Sequence, residues 1–119
     1  MAKEFSRKPL VWHYGTIQTP PFSKEARVEA GTLLRRLQEG QSLAMPHSRP
    51  MPKIGKRCHE IRVRDESRNW RIICRIDSDA IVIVAVFPKT TQTTPNSVIK
   101  QAKDRLRSYD DAAKSAKKG

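Results

Sequence analysis

The run Ile81-Val82-Ile83-Val84-Ala85-Val86-Phe87 constrains the fold more than any other part of the chain. It stands unbroken between the turn residues Asp77-Ser78-Asp79 and Pro88. A strand with one wet face alternates in polarity, whereas a strand without alternation has to be covered on both faces. The run therefore predicts a central strand within a sheet. Two preceding segments supply neighbours. His59-Glu60-Ile61-Arg62-Val63-Arg64 alternates, placing Ile61 and Val63 on one face and Arg62 and Arg64 on the other. After turn residues between Asp65 and Asn69, Trp70-Arg71-Ile72-Ile73-Cys74-Arg75-Ile76 forms the next strand, with Arg71 and Arg75 two steps of the pleat apart. By parity Arg62, Arg64, Arg71 and Arg75 share one sheet face, which reads as basic and lacking acids.

The remaining elements follow from local signals. Leu10-Val11-Trp12-His13-Tyr14 with Thr16 and Ile17 reads as an opening strand stopped by Pro20-Pro21. Ser23 is the N-cap of a helix over 23–39 that buries Ala26, Ala30, Leu33, Leu34 and Leu37, and Gly40 ends it. Pro46, Pro50 and Pro52 make residues 41–55 an irregular loop. Thr94 and Pro95 open a last helix, as N-cap and first helical residue, with Val98, Ile99, Ala102, Leu106 and Tyr109 as its packing stripe. The expected fold is α+β, in the order β-α-β-β-β-α: a mostly antiparallel four-stranded sheet with its helices packed on one face. The domain is expected over residues 1–111, with 112–119 a basic, disordered tail.

Composition narrows the function. Among 119 residues, 24 Lys and Arg face 12 Asp and Glu, a net charge of +12. Residues 41–75 carry nine basic against three acidic residues, half of the excess. Such a concentration fits a surface that meets phosphates; its bland counterpart is a solvated basic face. No apolar stretch approaches the roughly 20 residues of a membrane span, so the expectation is a cytoplasmic protein without a membrane partner. Cys58 and Cys74 have no CxxC or histidine at metal spacing and read as reduced thiols. Glycine-rich phosphate loops, HExxH, GxSxG and acidic magnesium clusters are all missing, which argues against nucleotide hydrolysis and common metal nucleases.

Arginine, lysine and histidine suffice for one chemistry. RNA carries its own nucleophile in the 2′-OH, so a protein need only align that oxygen with the phosphate, stabilise phosphoryl charge and move two protons. Arginine suits the charge, and a histidine can carry a proton. His59 is the candidate for that role, against a packed reading from its parity with Ile61 and Val63. His13, on the first strand, reads as structural, and His47 lies in the proline-rich loop. Lys53, Lys56, Arg57, Arg64, Arg68 and Arg75 are candidate RNA-backbone contacts. Trp70 is expected to point into the core. No metal or cofactor is expected.

Several ordered motifs carry a resemblance. Pro20-Pro21-Phe22-Ser23 with Arg27, Leu33-Leu34-Arg35, Ser48-Arg49-Pro50-Met51-Pro52-Lys53-Ile54-Gly55, His59-Glu60-Ile61-Arg62 and Trp70-Arg71-Ile72 come first. Phe87, Lys89, Thr90-Thr91-Gln92-Thr93-Thr94-Pro95, Ile99, Ala102 and Arg105-Leu106 continue them. Together they resemble the phage-derived branch of the RelE/HigB toxins over roughly residues 10–111. The resemblance implies a RelE-like fold with a concave basic sheet and a toxin of a type II toxin-antitoxin pair. It implies a metal-independent mRNA endoribonuclease acting on the ribosome, neutralised by a helix-turn-helix, HigA-like antitoxin. Arg71 stands where the family's strand-borne catalytic arginine lies, Lys89 near its basic position after the last strand, and Arg62 adds a phosphate contact. The family's C-terminal tyrosine or histidine has no equivalent after Lys89, since Tyr109 belongs to the packing stripe. Two other readings share these features: a ParE-like gyrase poison without nuclease activity, and a basic nucleic-acid-binding phage regulatory module.

Overall fold

The computed structural model describes residues 7–13, 22–65, 68–90 and 92–118. The elements are β1 (Leu10–Trp12), α1 (Lys24–Gln38), β2 (Ser48–Pro50), β3 (Cys58–Val63), β4 (Trp70–Ile76), β5 (Ile81–Pro88) and α2 (Asn96–Lys118). Tyr14 to Pro21, read as the rest of the opening strand and its stop, lie outside the described residues, as do Glu66, Ser67 and Thr91.

The fold is α+β, but the sheet has five strands and is mixed, in the order β1-β5-β4-β3-β2. Strands β2 to β5 pair antiparallel in sequence, and β1 joins the outer edge of β5 in parallel, Leu10 opposite Ile81. The extra strand comes from the segment read as a loop. Ser48, Arg49 and Pro50 pair with Ile61, Glu60 and His59. Proline is tolerated there because β2 is an edge strand, where a missing N–H breaks no central ladder.

The helices lie on opposite faces, not on one, and β5 shows why. Ile81 and Ile83 pack under α1 with Ala26, Ala30, Leu33, Leu34 and Leu37, whereas Val82 and Val84 pack with Ala102 and Leu106 of α2. Neither face of β5 can be left wet, so each requires a helix. The pairing slips where Ile73 opposes Ala85 but Cys74 opposes Ile83, leaving Val84 as an extra residue. This bulge puts both Val84 and Ala85 in the α2 layer and returns Val86 to the α1 side. Arg105 of α2 secures the bulge by donating to the Val84 carbonyl at 2.6 Å.

Helix α1 starts and stops as its sequence predicts. The Ser23 hydroxyl accepts from the Ala26 N–H at 3.1 Å. Gly40 takes φ 84°, and the N–H groups of Gly40 and Gln41 reach back to the carbonyls of Leu37 and Arg36, a Schellman stop. Helix α2 differs at both ends. Pro95, not Thr94, supplies the carbonyl that accepts from Val98 and Ile99, and the Thr94 hydroxyl is given to Glu60 instead. At its other end α2 runs on to Lys118, through the stretch read as a disordered tail. Alanine and lysine favour helix there.

Arg75 ties α2 to the sheet. Its guanidinium bonds Asp110 at 2.7 and 3.0 Å and Asp77 at 2.8 and 2.9 Å. The hydrogen bond from Arg75 holds the Asp110 carboxyl below the usual carboxylate range. A depressed folded pKa stabilises above the unfolded value and is lost as pH falls through the folded one. Asp110→Asn is therefore expected to cost about 1 kcal/mol at neutral pH, discounted for the partial exposure of the pair. In urea unfolding the difference from wild type should shrink as pH drops below 3.8.

Candidate functional site

Strand register builds the site. Arg62 and Arg71 are directly opposed across β3 and β4, and Glu60 opposes Ile73 one step of the pleat away. All lie on the face that α2 covers. Because α2 packs over Ile73, Cys58 and β5, it leaves the Arg62–Arg71 end of that face open. The result is a cleft of about 410 Å³, lined among others by Arg62, Arg64, Arg71 and Lys89, with His47, Glu29, Trp70 and Gln92 around them. Arg64 and Lys89 are exposed and Arg62 is half-buried, whereas Arg71 is closed over at 2% exposure. The exposed cations reach an incoming anion first, and Arg71 forms the floor beneath them.

The face is not without acids. Glu60 is completely buried, with one carboxylate oxygen 3.5 Å from Arg71 Nη1 and the other 3.7 Å from Arg62 Nε. Thr94, from the β5–α2 connection, donates its hydroxyl to the oxygen facing Arg71. Arg71 in turn donates through Nη2 to the Gln92 carbonyl at 3.2 Å. An isolated buried charge costs several kcal/mol, so a carboxylate at this depth persists because two guanidinia and a hydroxyl surround it. Lys89 is placed from its backbone, whose N–H donates to the Asn69 carbonyl at 2.8 Å.

The other candidate residues fall into separate places. His59 lies on the opposite, α1 face, where its Nδ1 is 3.3 Å from the Ser48 hydroxyl; it does not join Arg62, Arg71 and Lys89. Arg75 is held by Asp77 and Asp110 and serves as a tether rather than an open RNA contact. Lys53, Lys56 and Arg57 are exposed around the β2–β3 turn. Lys56 and Arg57 line a second groove of about 540 Å³ with Lys103, Arg107 and Lys114 of α2. Arg68 is exposed and stacks 5.6 Å above Trp70. Trp70 itself is core: it meets Phe22 edge-on at 5.3 Å and donates its indole N–H to Asp65 at 3.3 Å. Tyr109 packs against His13 and lies under Arg75, away from the cleft.

Sequence reasoning left His47 in a loop outside the site and missed Glu60 beneath the cleft. His47 immediately precedes β2, and its carbonyl accepts the Arg62 N–H at 2.9 Å. Only the pairing of β2 brings it there, and three prolines hid that strand. Glu60 has the parity of Arg62 within its strand, so its place on the basic face was open to counting. Among the described residues no group of three His, Cys, Asp or Glu side chains comes together that could hold a metal ion. No helix of the described residues is long and apolar enough to cross a membrane.

Fold and cleft together define a basic α+β protein with an open cleft lined by arginine and lysine and backed by a buried carboxylate. The family model for the phage-derived Gp49-like proteins (DUF891) matches residues 21–107, and the chain belongs to that family. It is a family associated with RelE-like toxins of toxin-antitoxin systems. No curated protein and no solved structure matches the chain.

The α1-face histidine has a measurable signature. Burial lowers the His59 pKa below the ordinary 6.5, so the unfolded chain takes up that proton first as pH falls. Stability from this group is complete above pH 6.5 and declines below it. His59→Gln is expected to flatten the acid-side fall of the thermal midpoint, followed by circular dichroism across that range. An unchanged slope would assign the acid sensitivity to other groups.

Proposed function

We propose that this protein is the toxin of a toxin-antitoxin pair and a metal-independent endoribonuclease that cuts mRNA on the ribosome. The observation that carries the reading is the convergence of Arg62, Arg64 and Lys89 on one open cleft whose floor is Arg71. Three separate parts of the chain supply these cations, which a merely solvated surface has no need to bring together. The family's association with RelE-like toxins supports the same reading, with a cognate antitoxin of the helix-turn-helix kind as partner.

In this reaction the 2′-oxygen attacks phosphorus as the bond to the 5′-oxygen breaks, giving a 2′,3′-cyclic phosphate and a 5′-hydroxyl. One proton leaves the 2′-OH and one reaches the departing oxygen. Arg62 and Lys89 hold the phosphoryl oxygens, and Arg71 adds positive charge from below. His47 takes the proton-carrying role first given to His59, because it lines the cleft and His59 does not. Arg64 and Arg68 meet the flanking backbone, each neutralised phosphate contributing about −0.7 to the log-log salt slope. Lys53, Lys56 and Arg57 lie further off and hold ribosomal RNA.

The choice of variants matters. Arg71→Ala leaves Glu60 buried without its closest guanidinium, a lesion of about 3–5 kcal/mol in such pairs, so lost activity there has two causes. Lys89→Ala and Arg62→Ala are cleaner, since Lys89 is exposed and Arg62 half-buried. Primer extension on mRNA engaged with ribosomes should reveal codon-linked cuts by the wild-type protein. Each substitution should slow them by about 10²-fold, and a 2′-deoxy nucleotide at the cut site should abolish them. Intact message during toxin-induced growth arrest would sink the proposal, and DNA breaks in that arrest would favour a gyrase target.

A further inference from the structure

Stability alone gives a poor account of Glu60 and its neighbours. Arg62 and Arg71 are like charges directly opposed on adjacent strands, an arrangement that destabilises a sheet. A buried ion cluster of this kind is commonly no better for stability than apolar residues of similar volume. Two oxygens of a fully buried carboxylate nevertheless engage both guanidinia. The cluster also reaches out of the sheet. Thr94 gives its hydroxyl to Glu60, and the Gln92 carbonyl accepts from Arg71. Both residues belong to the connection from β5 to α2, which begins with Lys89.

We infer that Glu60 is a positioning residue: it fixes the guanidinia of Arg62 and Arg71 from beneath and, through Thr94, anchors the connection that carries Lys89, so that the three cations meet one phosphate. The inference rests on the nuclease reading for its kinetic consequence, and on geometry alone for its structural one. Water does not compete for the carboxylate at this depth, so Arg71 loses its rotamer freedom before RNA arrives and Arg62 is drawn by charge toward the same carboxylate. The oxygen facing Arg62 makes no hydrogen bond in this state, and the Arg62 Nε it faces at 3.7 Å makes none either. A small movement of Arg62 closes that contact when a phosphate enters, in keeping with catalytic hydrogen bonds that tighten only in the bound complex.

The test uses E60Q, Thr94→Val and Thr94→Ser in the full chain, with folding checked first by thermal unfolding. On programmed ribosomes E60Q should lower the single-turnover cleavage rate by about tenfold to a hundredfold. Its half-saturating concentration should stay level or fall, because the cleft gains net positive charge. A merely structural lesion moves both quantities the wrong way together. In side-chain NMR the Nε–H resonances of Arg62 and Arg71 should broaden or exchange faster in E60Q. Amide exchange at Gln92, Thr93 and Thr94 should quicken in Thr94→Val and not in Thr94→Ser.

Wild-type cleavage kinetics in E60Q overturn the inference, as does a parallel loss of rate and affinity. Unchanged arginine resonances in E60Q or unchanged exchange in Thr94→Val overturn it equally. If the wild-type protein leaves ribosome-bound RNA intact, the nuclease reading fails and the resonances and exchange rates still decide the positioning role. If E60Q does not fold, the contrast between Thr94→Val and Thr94→Ser decides it.

Discussion

Strand β5 has two apolar faces, and the architecture is the consequence of covering both. One helix cannot reach around a sheet, so α1 takes the Ile81 and Ile83 side and α2 takes the Val82 and Val84 side. The bulge at Val84 lets the second layer receive two neighbouring residues without losing the first. Edges follow from the same constraint. β4 pairs with one side of β5, and the short β1 pairs with the other in parallel over Ile81 to Ile83, so neither side of that apolar strand is left as a full open edge.

The open cleft is what this arrangement leaves over. Helix α2 runs across one face at the Cys58, Ile73 and Val84 end and does not reach the far ends of β3 and β4. Arg62 and Arg64 therefore keep access to solvent on a face that is otherwise core, with Arg71 closed over beneath them. That position sets up a conflict, since like charges are opposed in a partly dry environment, and Glu60 resolves it from inside the sheet. At the other end of the same face Arg75, mostly buried, is answered by Asp77 and Asp110. One arginine pattern thus serves two purposes: an open cleft where the helix stops short, and a tether where the helix passes overhead.

Local signals carried much of this in the sequence. The cap at Ser23, the stop at Gly40 and the stripe from Ala26 to Leu37 are decided within a few residues, and the structure holds them as read. The pairing of β3, β4 and β5 was legible for a related reason, since short turns leave antiparallel neighbours little alternative. Strand β2 was not legible, because three residues ending in proline have no strand signature until an edge is offered to them. His47 was lost with β2. The N-cap reading of Thr94 failed because a buried carboxylate out of sequence reach took its hydroxyl.

What the sequence determined by itself is periodic or local: a strand covered on both faces, an arginine parity, a capped helix and a concentration of positive charge. These depend on backbone geometry that neighbouring residues impose on one another. Tertiary structure alone decided which helix covers which face, which arginines stay open and which are tied down. It also decided that His47 rather than His59 stands at the cleft. Those outcomes depend on where α2 ends its passage over the sheet and on contacts between elements: Glu60 and Asp77 lie two residues from Arg62 and Arg75, but Glu60 meets Arg71 across strands and Asp110 reaches Arg75 from α2. Between elements charge acts through space, and no spacing along the chain records that distance.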